Sequence, residues 1–121
     1  MAKFTADSVL DAALDKVATA TRMVVTSAQP ANYAGIAAVA LADVVVDSGD
    51  FSKANGDVSG RKLVVAAQTA VPIDASGSAT HCCLDDGSTL LHVTTIPSQT
   101  VTSGNTANIG SFDVEFADVT P

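Results

Sequence analysis

The sequence predicts a mainly β domain, an antiparallel β-sandwich or small barrel with one N-terminal α-helix. Three observations carry this. Turn-forming clusters recur about every 8–12 residues in the second half. Apolar and polar residues alternate at the end, where Phe112, Val114 and Phe116 interleave with Asp113, Glu115 and Ala117. Helical spacing occurs once, in Val9, Leu10, Ala13, Leu14 and Val17. The 121 residues form one domain, with a helix over 7–18 and mostly β structure over 22–118.

In chain order, Ser8 and Asp11 predict a capping-box-like helix start, and Asp7, Asp11 and Asp15 favour the helix dipole. Arg22–Ser27 reads as a strand ended by Gln29-Pro30. Residues 31–42 are Ala-rich and fit helix or strand, whereas Val44-Val45-Val46 fits a strand. Asp47–Asp50 and Asn55–Asp57 punctuate a polar loop around Phe51. Arg61–Gln68 is a Val-rich strand, and Pro72 places the next segment at an edge or bend. Ala79–Asp85 and Ser88–Thr95 flank Asp86-Gly87, the strongest hairpin signal of the chain. Val101 and Ile109 flank a second hairpin turn, Ser103-Gly104-Asn105.

Charge excludes several classes. Every lysine and arginine lies at or before Lys62, six bases against seven acids; beyond it come six acids and no base. A chain of net charge −7 with no cation in its second half is a poor partner for nucleic acid or an anionic membrane. Its most apolar run, Ala34–Val46, is too short to span a bilayer and contains Asp43. Asp7, Asp11 and Asp15 stand where a secretory signal needs an apolar core. Cys82 and Cys83 are adjacent, cannot close a loop with each other, and imply no oxidising compartment. The protein is expected to be made in a cytoplasm. Hydrophobic residues make up 47% of the chain but aromatic ones only 4%, a thin core with apolar surface to spare. That surplus predicts a homo-oligomer or assembly component.

Candidate chemistry is sparse. With a two-residue Asp86-Gly87 loop, His81 faces His92 and Cys83 faces Leu90, so His81, Cys83 and His92 start a three-ligand zinc or copper set that lacks its fourth member. On a strand pair such histidines are ordinarily polar surface and the cysteines small hydrophobes. Asp47–Asp50 and Asn55–Asp57 offer calcium-binding oxygens but not the EF-hand order, and Asp and Asn are default turn formers. Asp85-Asp86 and Asp113/Glu115 are carboxylate pairs with the ordinary explanation of turn and wet-face acids. G-x-S-x-G, P-loop and G-x-G-x-x-G motifs are absent from the sequence. No enzyme activity, cofactor or metal is therefore expected.

The opening MAKFTADSVLDAAL, the segment ATHCCLDDGSTLLHVTT and the ending QTVTSGNTANIGSFDVEFAD together resemble small virion proteins of tailed bacteriophages, best from Ser78 to Asp118. The resemblance is a hairpin pattern, and Cys82-Cys83 departs from it where aliphatic residues are usual. It implies a capsid decoration (cement) protein on the capsid exterior that fastens major capsid protein subunits, often as a trimer. Other classes are a neck or tail adaptor and a small ligand- or metal-binding β-module. The first would bind as a ring; the second needs exposed aromatics or a fourth ligand.

Overall fold

The computed structural model describes residues 6–57 and 60–116. The expected last strand residues, Ala117 and Asp118, lie outside them. The fold is mainly β, with antiparallel sheets arranged like a sandwich and one N-terminal helix. Helix α1 (Asp7–Val17) buries Leu10, Leu14 and Val17, spaced four and three apart on one face. Val9 and Ala13, expected on that face, are exposed instead. The Ser8–Asp11 capping box does not form: the helix starts at Asp7 as expected, but its N-cap is Ala6, two residues before Ser8, with no side-chain cap. Asp11 instead takes Arg61 Nε at 2.8 Å, an ion pair to the neighbouring sheet.

Strands β1 (Arg22–Thr26), β2 (Ala40–Val45), β6 (Gly77–Asp85) and β7 (Leu90–Val101) form a four-stranded sheet in the order β2-β1-β6-β7. Between β1 and β2 the ambiguous segment resolves into a 3-10 turn (Tyr33–Gly35) and a single helical turn, α2 (Ile36–Val39). The second layer holds β3 (Phe51–Asn55), β4 (Arg61–Val65) and β9 (Phe112–Phe116) in the order β3-β4-β9, and a ribbon of β5 (Gln68–Pro72) with β8 (Thr106–Ile109). The expected strand Arg61–Gln68 is thus broken at Val65. Phe51 starts β3 rather than standing in a loop. Its backbone is ordered by the register Phe51↔Val65 to Asn55↔Arg61, which overrides weak local propensity.

The main core lies between the layers and joins Leu14, Met23, Val25, Cys82, Leu84, Leu63, Val65 and Val114. The outer face of the four-stranded sheet has its own smaller cluster, where Ile36 covers Val24 and Cys83, with Tyr33 packed against it. Alternation along β6 therefore sends Cys82 and Cys83 to opposite faces, each into apolar contact. Leu14 and Leu84 are fully buried, each stabilising the fold by about 1.5–3 kcal/mol relative to exposure.

The two turns flanking β7 differ from expectation. The first hairpin exists, but its register is three residues off: His81 faces Thr95, Cys83 faces Val93 and Leu84 faces His92. Asp86 Oδ1 accepts the Ser88 and Thr89 N–H groups at 3.0 and 2.8 Å, so the loop is the four residues Asp86–Thr89, not two. A register shift between Leu84 and Asp85 adds the third residue. At the second turn Gly104 has φ 91°, but β7 and β8 do not pair. β8 pairs with β5 instead, at Val71↔Ala107 and Pro72↔Thr106. Pro72 lies in this two-stranded ribbon, as an edge residue should.

Candidate functional site

The metal candidates are separated by the observed register. An odd slip moves every side chain on one strand to the other face. His81 and Cys83 share the outer face with Thr95 and Val93, while His92 shares the inner face with Leu84 and Cys82. The His92 ring stacks on Phe112, with centroids 6.4 Å apart, and burial lowers its proton affinity. His81 Nδ1 lies 2.8 Å from Thr80 Oγ1. Burial pushes the Cys82 thiol up to about 12 and raises Cys83, so neither cysteine is a ready thiolate. Among the described residues no three His, Cys, Asp or Glu side chains converge as a metal site.

The acidic turns use their oxygens internally. Asp47 Oδ1 accepts Gly49 N–H at 2.8 Å and Asp50 Oδ2 accepts Asp47 N–H at 3.0 Å, a capping box on the 3-10 turn Ser48–Asp50. Asn55 Oδ1 accepts from Arg61, and Asp57 Oδ1 from Lys62 at 2.9 Å. Of the paired acids, Asp85 is fully buried beneath Arg22, whose Nε donates to Oδ2 at 2.9 Å, while Gly87 N–H donates to Oδ1 at 3.0 Å. Arg22 in turn lies 6.0 Å from the centre of the Tyr33 ring. Asp86 is held below the usual carboxylate range by the Thr89 and Ser88 N–H groups. Both residues therefore build the turn. A different pair, Asp43 and Asp74, carries no sequence signal; there burial and then the Asp74 carboxyl raise Asp43.

The basic residues are equally committed. Lys16, Arg22, Lys53, Arg61 and Lys62, all the bases among the described residues, each pair with an acid. Asp15–Lys53 at 2.7 Å and Asp11–Arg61 at 2.8 Å tie α1 across β3 and β4. What these bases leave over is negative, and it is unevenly spread. From Val93 to Phe112 the chain has no charged residue at all.

That uncharged stretch walls a groove that β7 borders. One lobe, about 450 Å³, runs between Thr94–Pro97 of β7 and Ala107–Phe112. A second, about 340 Å³, continues between Gln99–Thr102 and Asn105–Asn108. Gln99, Ala107 and Asn108 line both lobes, making one slot along β7. β7 is the end strand of its sheet, and β8 bonds only to β5 among the described strands. Opposite the slot, Asn108 Oδ1 accepts from the N–H of Ala70, a non-glycine residue held at φ 54° in the β5 bulge. A further concavity of about 460 Å³ lies between Ala31–Ala34 and Ser88–Leu90, at the hairpin tip. The lack of charge over 93–112 was the signal in the sequence that could have marked the slot. No helix of the described residues is long and apolar enough to cross a membrane. No protein family, curated protein or solved structure matches the chain.

Proposed function

We propose that this chain is a structural protein of a tailed-bacteriophage virion, a decoration protein that sits on the capsid exterior as a homotrimer and bridges major capsid protein subunits. One observation supports this most directly: the ion-paired, acidic body carries a long uncharged margin along β7 and β8. Acid elsewhere keeps the unassembled chain soluble and turns it away from DNA. The uncharged margin is where another protein can approach without stranding a charge. The hairpin pattern that resembles phage virion proteins points the same way. Each contact needs only modest energy, because many copies on one shell act together.

The test compares particles assembled with and without the chain, heated or osmotically shocked, with DNA release as the readout. Particles lacking it should assemble but release DNA at lower temperature. The chain should stay bound in high salt, since apolar and backbone contacts are screened far less than ion pairs. A cryo-EM map should place it on the capsid lattice in threes. Equal DNA release from both kinds of particle, or density only at the neck, would instead favour the adaptor assignment.

A further inference from the structure

Followed along its hydrogen bonds, the body runs β7-β6-β1-β2, crosses from Ala42 to Ile73 by an isolated antiparallel bridge, and continues through β5 to β8. The Thr102–Asn105 turn then brings β8 back beside β7. It is closed by Asn105 N–H to the Thr102 carbonyl at 3.1 Å and fastened to Ile73 by Gly104 N–H at 3.0 Å. At this last seam the two strands part, and the slot lies between them. Its lining says which surfaces face it. A groove walled by one face of a strand takes every second residue. This one takes Thr94–Pro97 in succession on β7 and Asn105–Phe112 in succession opposite. Strand edges bound it on these two sides, and Val25 of β1 also lines it.

The geometry points to strand complementation: the slot receives one extended, uncharged segment of the neighbouring virion polypeptide on which the chain is mounted, hydrogen-bonded to both β7 and β8. This rests on the structural reading above, in that the neighbour is a protein of the particle. Backbone chemistry selects the occupant. An unpaired edge offers alternating N–H and C=O groups along its length, and an extended polypeptide supplies the matching alternation. Charge narrows it further, because residues 93–112 hold nothing to neutralise an ion brought into the slot. The Thr102–Asn105 turn reverses the chain, so the incoming segment runs parallel to one wall and antiparallel to the other.

Pro97 shapes the fit. It sits in the irregular stretch of β7 between the pairs Ala79↔Gln99 and His81↔Thr95 and has no N–H to give. The incoming segment therefore bonds β7 in two short runs, on either side of Pro97. The same residue makes the edge a poor match for the β7 of a second copy, which keeps unassembled chains apart.

The experiment measures backbone amide exchange of the full chain, free and bound to particles, together with particle occupancy of Gln99→Lys and Ser111→Lys. Both residues line the slot and are exposed. Ser48→Lys, on the distant 3-10 turn, is the control. Expected are slower exchange over 94–102 and 105–109 on the particle, and occupancy at least about tenfold lower for both slot variants at unchanged melting temperature. The control should bind as wild type. If wild type binds but these amides exchange equally fast free and bound, or if both slot variants bind normally, the slot is not the seat and the capsid assignment survives. If wild type binds no particle, both fall. Protection of the same amides in concentrated protein alone would make a second copy the occupant and overturn the assignment to a different polypeptide. Should a variant lose its fold, the wild-type exchange comparison decides by itself.

Discussion

The turns at the two ends of β7 share their chemistry. Each reverses the chain over four residues, Asp86–Thr89 and Thr102–Asn105, and each holds a glycine at positive φ, 93° at Gly87 and 91° at Gly104. Yet the strands flanking the first zip together from Asp85↔Leu90 to Gly77↔Val101, and those flanking the second part. The difference lies in the strands. β6 is buried on both faces, by Cys82 and Leu84 inside and Cys83 outside, and has β1 on one edge, so β7 completes it. β8 spans only Thr106–Ile109 and is claimed by β5, which offers buried Val71 and the Ala70 N–H for Asn108. A turn fixes where a chain reverses. What the flanking strands bury decides whether they pair.

The largest expected effect tests what anchors the first of these turns, the buried Asp85. Asp85→Ala removes the buried acceptor of both Arg22 and the Gly87 N–H. With Arg22 about one-third exposed, stability should fall by about 3 kcal/mol, below the upper end for fully buried pairs. A urea titration reads this directly. A loss under about 1 kcal/mol would show that the first turn owes little to its ion pair.

Next come matched substitutions, Gly87→Val and Gly104→Val. An added Cβ meets nothing within 4 Å at either site, so the cost is backbone conformation alone. Each should lose about 1–3 kcal/mol by the same titration. Clearly unequal losses would break the equivalence of the two turns.

The smallest effect is a pH slope from His92, whose ring on Phe112 ties β7 to β9. Burial holds its folded pKa below the ordinary 6.5, so the unfolded chain binds the proton more readily. This contribution is fully present above pH 6.5 and is lost as pH falls from there through the folded pKa. Melting temperatures between about pH 7.5 and about pH 5 should fall with acid, and less steeply in His92→Phe. Identical slopes in the two proteins would remove His92 from the account.

Much of the fold was written in local pattern. Leu10, Leu14 and Val17 gave the helix, and Phe112 and Val114 against Asp113 and Glu115 gave β9. Gly87 and Gly104 marked both turns. β3 was missed because Phe51–Asn55 (FSKAN) carries no alternation strong enough to read; its partner β4 imposes the strand. The hairpin register was missed because Asp-Gly suits a two-residue loop as well as a longer one, and only Asp86 Oδ1 reaching Thr89 N–H settles which. That error alone had assembled His81, Cys83 and His92 on one face. The slot was legible only as the uncharged stretch 93–112; its shape was not, because it is a pairing that fails to occur, decided by β5, far away in sequence.

The central place of β1 has a kinetic consequence. Its first residue, Arg22, pairs with Asp85, 63 positions later in the chain. At translation rates of about 5–20 residues per second, roughly 3–13 seconds separate the emergence of the two. Throughout that interval the uncharged run from Met23 to Ala42, which holds both faces of β1, lacks the strand it is built against. The sheet can close only after β6 arrives, so the domain forms late and over long chain loops, in the slow regime of non-local β topologies.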